Sequence, residues 1–210
     1  MHHEKLIRAG RTVSLLLLLV YPFVVHTGIL TDAIWPALAV LLMLVLIKPH
    51  FFFSRRVLLL FLPVAGILLW LTPHTVYSVL YAPPLLITLL FLALFAESLM
   101  PGNEALVSRI ARIMHETPSP QLLRYTHAVT VGWVVFLSLM LLEVIVLTLF
   151  ATAKQWSLFT NFYNYFFIGL FFLVEFMLRR FFIDPAERIS LAQFFHRLVT
   201  IDYRKLFFTR

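Results

Sequence analysis

The sequence predicts an all-α integral membrane protein with six transmembrane helices and both termini on the cytoplasmic side. Three observations lead there: the composition, the length of the charge-free runs, and the placement of the basic residues. Of 210 residues, 61% are apolar and 13% charged, with 22 Phe and a mean hydropathy of +0.93. An average globular chain has about 45–50% apolar and about 25% charged residues. A helix needs roughly 20 apolar residues, within a range of about 17–25, to cross a hydrocarbon core of about 30 Å. Extending each apolar run to its nearest polar punctuation gives spans at about 12–30, 33–48, 57–72, 76–95, 128–150 and 159–178. Alternating the loops between two sides puts sixteen of the seventeen Lys and Arg on one face and Lys154 on the other. The positive-inside rule makes the basic face cytoplasmic. The whole chain, 1–210, reads as one membrane domain.

The first span follows a basic start, Lys5, Arg8 and Arg11, and continues from Leu15 through Val25. No Ala-x-Ala-like site interrupts it, so the expectation is a retained helix rather than a cleaved signal. The second and third spans are short. Pro22, Pro36, Pro63 and the pair Pro83-Pro84 lie in or beside spans. Each interior proline removes a helical hydrogen bond, which makes a kink or a helix start the plain expectation and a broken helix lining a site the functional one. Pro83-Pro84 is expected to kink the fourth span in its outer third.

Residues 97–127 form a cytoplasmic loop. Pro101-Gly102 ends the fourth span, and Asn103 is suited to cap a new helix beginning at Glu104. Leu106, Val107, Ile110, Ile113 and Met114 then share one face at a 3.6-residue period, with Glu104, Ser108, Arg109, Arg112 and His115 on the other. This spacing predicts an amphipathic helix at the cytoplasmic interface. Ser119 and Pro120 read as the cap and first residue of another helix that runs straight into the fifth span. That span carries Glu143 with no basic residue within a turn. The sixth carries Glu175, four residues before Arg179, the favourable order for a helical ion pair. An intramembrane acid is expensive and should face the bundle interior or a cavity.

The tail, 179–210, repeats the amphipathic device. Asp184-Pro185-x-Glu187 is close to a capping box, and Leu191, Phe194, Phe195 and Leu198 make an apolar stripe beside Arg188, His196 and Arg197.

Several functions are excluded. With no Cys, there is no disulfide scaffold and no Cys-ligated metal. A glycine-rich phosphate loop, H-E-x-x-H and G-x-S-x-G are all absent. The basic residues follow the membrane rather than a groove-sized patch, so nucleic acid is not an expected partner. No cofactor, metal site or catalytic residue is assigned. His115 keeps an alternative acid–base role on its ordinary titration range alone. The candidate site, for a protein partner or an anionic lipid, is a cytoplasmic polar rim of Glu104, Arg109, Arg112, His115, Arg124, Tyr125, Glu175, Arg179 and Arg180, with Glu143 as a separate intramembrane polar group.

The run Pro101-Gly102-Asn103-Glu104-Ala105-Leu106-Val107-Ser108-Arg109-Ile110-Ala111-Arg112, then His115, Pro118, Leu123-Arg124-Tyr125-Thr126 and Trp133, resembles a family of small bacterial inner-membrane proteins. Asn161-Phe162, Glu175-Phe176 and Arg179-Arg180 carry the same resemblance, which covers about residues 96–182. The family is found in aryl-polyene and xanthomonadin-type pigment gene clusters. Asn103 and His127 stand where its pattern has Arg, which lowers the positive charge at both positions. The resemblance implies a place beside enzymes that build polyenoic acyl chains on acyl carrier proteins and attach them to a lipid. It implies no particular reaction.

The expected function is therefore an accessory or scaffold protein of the bacterial inner membrane in an aryl-polyene-like lipid or pigment pathway. Membrane lipids and an acyl carrier protein or other pathway proteins are the expected partners, and an acidic carrier would suit Arg109 and Arg112. A transporter or flippase component for a lipid-linked product is the second expectation, resting on Pro83-Pro84 and Glu143. A membrane-embedded acyl- or glycosyl-transfer enzyme using Glu175 or His115 is the third.

Overall fold

A computed structural model describes residues 2–47, 78–115 and 117–188, with isolated positions at 59, 63, 66, 67 and 70. The third expected span, 57–72, and the tail stripe from Leu191 to Leu198 lie outside the continuously described residues. The described residues are helical, with no strand among them: α1 (His2–Leu30), α2 (Trp35–Ile47), α3 (Ser78–Ser98), α4 (Leu106–Met114), α5 (Pro120–Phe150), α6 (Ala153–Leu158) and α7 (Asn164–Phe182). A π-turn, Phe159–Tyr163, joins α6 to α7, and a 3₁₀ turn, Pro185–Glu187, follows α7. Two helical stretches, Val79–Ser98 and Pro120–Phe150, are long and apolar enough to cross a membrane.

Packing divides the chain into two units, Met1–Leu90 with Met140–Phe167, and Phe91–Leu139 with Ile168–Arg210. In the first, Tyr21, Val25 and Ile29 recur every four residues, so α1 turns one stripe inward. Their neighbours include Ile34 and Ala37 of α2, Leu80, Tyr81 and Leu85 of α3, Val144 of α5 and Trp156 of α6. The turn between α1 and α2 is tight. Ala33 donates its N–H to the Gly28 carbonyl at 2.8 Å, and Asp32 takes a left-handed φ of 52°. A Cβ on Gly28 would meet the Ala33 carbonyl oxygen at 2.8 Å, so only glycine fits there.

Pro22 lies inside α1 and Pro83-Pro84 inside α3. Pro36 is the second residue of α2, where its missing N–H has no intrahelical partner to lose. The Thr88 hydroxyl donates to the Pro84 carbonyl at 2.9 Å.

In the second unit, Trp133 is the centre of an aromatic cluster. Its ring lies 4.5 Å from Phe171, 4.7 Å from Phe172, and 5.7 Å from both Phe95 and Phe136. These separations suit edge-to-face and tilted ring packing, and they join α5 to α7 and to the end of α3.

The expected elements shift in instructive ways. α5 is one helix of 31 residues from Pro120, as the Ser119-Pro120 pair predicts. The sixth expected span, 159–178, is offset: its first five residues are the π-turn, and α7 continues to Phe182. Asn103 does not cap α4, which begins two residues later than expected, at Leu106 after Ala105. Its side-chain amide instead donates to the Glu97 carbonyl at 2.7 Å, closing the end of α3. Gly102, at φ 86°, makes that reversal possible.

Candidate functional site

The first turn of α4 has N–H groups without intrahelical partners, and no local side chain caps them. Tertiary contacts do so. Leu106 N–H donates to Ser98 Oγ at 3.0 Å, and Val107 N–H donates to Thr130 Oγ1 at 3.2 Å. One turn back along α5, the Ser108 and Thr126 hydroxyls are 2.8 Å apart. Ser108 is therefore buried, against the expectation that it belongs to the polar face. Its hydroxyl has a better partner in Thr126 than in water, and the face turned inward, Leu106, Ser108, Ala111 and Met114, leaves Ile113 exposed. The result is a short helix locked to α5 by side-chain hydrogen bonds as well as apolar packing.

The outer edge of α4 holds three members of the expected rim. The Arg112 guanidinium pairs with the Glu104 carboxylate, and Arg109 Nη2 donates to the Glu104 carbonyl at 3.1 Å. Glu104 thus orients both arginines at the start of the helix. Arg124 is exposed on α5.

The other five rim residues converge on one cavity of about 210 Å³ in the same unit. Its inner wall is apolar, with Ala111, Met114, Leu122 and Ile183 all buried. Glu175, only 7% exposed, accepts Arg179 Nε at 2.8 Å on one oxygen and Nη2 at 2.9 Å on the other. This bidentate pair is the i, i+4 pair that the spacing predicts. The Tyr125 hydroxyl donates to the Glu175 backbone carbonyl at 3.0 Å and lies 3.3 Å from its carboxylate. Tyr125 also stacks on Phe182. His115 ends α4 and lines the cavity, and Arg180 lines it from α7.

Two further lining residues, Glu187 and Arg188, come from the end of the 3₁₀ turn and the position after it. The expected Asp184-Pro185-x-Glu187 cap falls at a 3₁₀ turn, Pro185–Glu187, and the helix expected to follow it lies outside the described residues. Glu187 reaches 68 positions back instead: one oxygen accepts Ser119 N–H at 2.8 Å and the other accepts Ser119 Oγ–H at 2.6 Å. Ser119 Oγ in turn accepts Leu122 N–H at 3.1 Å. A carboxylate here is also favoured by the positive end of the α5 dipole. The Glu187 carboxylate thereby supports the start of α5, a role the local capping pattern does not reveal. Arg188 Nε donates to the Ile183 carbonyl at 2.9 Å.

Ser119→Ala removes both the α5 cap and one acceptor bond of Glu187. The expected loss is about 1–2 kcal/mol, read as a lower unfolding temperature in detergent. Ser119→Asp, which keeps a cap but places an acid against Glu187, should not restore it.

Glu143 sits in the other unit. One oxygen accepts Asn164 Nδ2–H at 3.1 Å, while the second is buried without a hydrogen-bond partner among the described residues. Next to the π-turn, His26 Nδ1 is 3.1 Å from the fully buried Ser157 Oγ, to which Asn161 Nδ2 also donates at 3.0 Å. No group of three or more metal-ligating side chains occurs among the described residues.

Comparison with protein-family models, with curated proteins and with solved structures finds no match.

Proposed function

We propose that this chain is a multi-pass protein of the bacterial inner membrane, with six spans and both termini cytoplasmic. It acts as an accessory or scaffold component of an aryl-polyene-like lipid or pigment pathway, in biosynthesis or export. The sixteen-to-one distribution of basic residues supports the orientation. The membrane placement draws support from α5, where Leu139, Leu142, Ile145, Val146 and Leu149 are all exposed and would find their solvent in lipid.

The observation that carries the scaffold reading is the locked α4. A helix pinned to α5 through Ser108 and Val107 presents Arg109 and Arg112 on a rigid edge, pre-oriented by Glu104. Preorganised charge of this kind lowers the ordering cost of docking an acidic partner. An acyl carrier protein or acyl-processing enzyme of the pathway is that partner.

The test is retention of an acidic acyl carrier protein by the full-length protein in mild detergent. An exposed charge contributes up to about 1 kcal/mol, so the triple variant Arg109→Ala, Arg112→Ala, Arg124→Ala should weaken retention by on the order of tenfold. Undiminished retention, or loss of product with retention intact, would count against the scaffold.

A second reading, a transporter component for a lipid-linked product, is favoured by the unpartnered buried oxygen of Glu143. Under the scaffold reading Glu143→Gln leaves product export unchanged. Abolished export in that variant would select the transporter.

A further inference from the structure

The cavity of the second unit has a chemistry that the docking edge of α4 does not use. Its deep wall, Ala111, Met114, Leu122 and Ile183, is apolar and buried. Both carboxylates in its lining are already satisfied: Glu175 by Arg179 and Tyr125, Glu187 by the N–H and hydroxyl of Ser119. Neither is available to draw in a cation. The two exposed arginines of the lining are in the opposite condition. Arg180 lies over the Phe181 ring at 6.0 Å, and Arg188 is oriented through its Nε alone. Neither has a carboxylate partner among the described residues. A guanidinium left in this state presents planar, forked donors suited to a phosphate or carboxylate.

We infer that this cavity binds an anionic amphiphile of the membrane, its acid group held by Arg180 and Arg188 and the first methylenes of its apolar chain against Ala111, Met114 and Ile183. The size suits a short segment of chain beside its head group. At about 210 Å³ the cavity is smaller than the roughly 300–1,000 Å³ that encloses a drug-sized ligand. The buried Glu175–Arg179 pair and Tyr125 give the wall rigidity, and the acid group stays at the exposed mouth, where it keeps part of its hydration. Phosphate of an anionic phospholipid and carboxylate of a free fatty acid share this chemistry. The site is independent of whether α4 docks a carrier protein, because it uses none of Arg109, Arg112 or Arg124.

The experiment uses the full-length protein in phosphatidylcholine nanodiscs. Three probes, each with a photoreactive diazirine on an acyl-chain carbon close to the head group, are added separately: phosphatidylglycerol, a fatty acid and phosphatidylcholine. After irradiation, labelled positions are mapped by mass spectrometry. At least one anionic probe should label the stretches 107–115 and 176–183 about tenfold more than the neutral probe, the ratio expected of about 1.4 kcal/mol of charge recognition. Labelling by phosphatidylglycerol alone assigns a phosphate head; labelling by the fatty acid alone assigns a carboxylate.

The double variant Arg180→Gln, Arg188→Gln should reduce anionic labelling to the neutral level, and Ala111→Phe should block it by filling the cavity. If Ala111→Phe fails to fold, the double variant, which changes only exposed side chains, decides. Equal labelling by all three probes, or labelling unchanged in the double variant, overturns the inference. So does labelling that appears only when the chain is delivered on a carrier protein. The carrier-retention assay would still stand or fall separately.

Discussion

Arg179→Met lowers the unfolding temperature of the full-length protein in detergent by roughly 10 °C. The physical cause is the state in which it leaves Glu175. That carboxylate is 7% exposed, and its two oxygens receive Nε and Nη2 of Arg179 at 2.8 and 2.9 Å. Without the guanidinium, the remaining side-chain donor among the described residues is Tyr125, at 3.3 Å. Breaking a buried pair from one side costs about 3–5 kcal/mol, because a charge stays behind without compensation. The lower end applies here, since the Arg179 side chain is 18% exposed and water reaches part of the site. For a chain of this size each kcal/mol moves the midpoint by about 2–4 °C.

The double variant Glu175→Gln, Arg179→Met removes the stranded charge and should recover part of the loss. Thermal unfolding of the wild type, both single variants and the double variant measures this coupling directly. Equal midpoints for Arg179→Met and the double variant would mean that the stranded carboxylate is not the cause.

Trp156→Ala has an effect of similar size in the other unit. Trp156 is fully buried, donates Nε1–H to Thr148 Oγ1 at 3.1 Å, and lies 4.5 Å from the Tyr81 ring. Truncating a buried Trp costs about 3–5 kcal/mol, much of it from the cavity left behind. Trp156→Phe separates the components. It keeps most of the ring packing and gives up the hydrogen bond, a loss of about 1 kcal/mol. Thr148 is not stranded, because its hydroxyl still donates to the Val144 carbonyl at 2.7 Å. Phe166→Ala is the control: Phe166 is 63% exposed, and a change there should stay within about 0.5 kcal/mol. Similar losses for Trp156→Ala and Phe166→Ala would refute the core assignment of Trp156.

Which features were legible depended on how far apart in sequence the interacting groups lie. Ser119-Pro120 announced the start of α5, because a cap and its first turn are consecutive residues. Glu175 and Arg179 announced their pair, because four residues make one turn. The apolar spacing in 106–114 announced α4 for the same reason. Asn103 misled, since its side chain could cap either the helix behind it or the helix ahead. It turns back to Glu97 because Ser98 and Thr130 already serve the first N–H groups of α4. Ser108 misled because a hydroxyl on the polar side of a helical wheel is equally content against another hydroxyl. The π-turn at Phe159–Tyr163, where Asn161 turns back to Ser157, had no periodic signature to find.

The sequence by itself determined the helical class, the apolar character of the long segments and the local ion pair. All of these are summed or short-range properties that survive in any arrangement of the helices. Only the tertiary structure decided that His115, Tyr125, Glu175, Arg179 and Arg180 share a cavity while Arg109 and Arg112 stand on a separate edge. It alone placed Glu187 on Ser119 and Asn164 on Glu143. Those pairings are 68 and 21 residues apart. At such separations no helical period relates the partners, and the choice goes to whichever buried polar group would otherwise lack one.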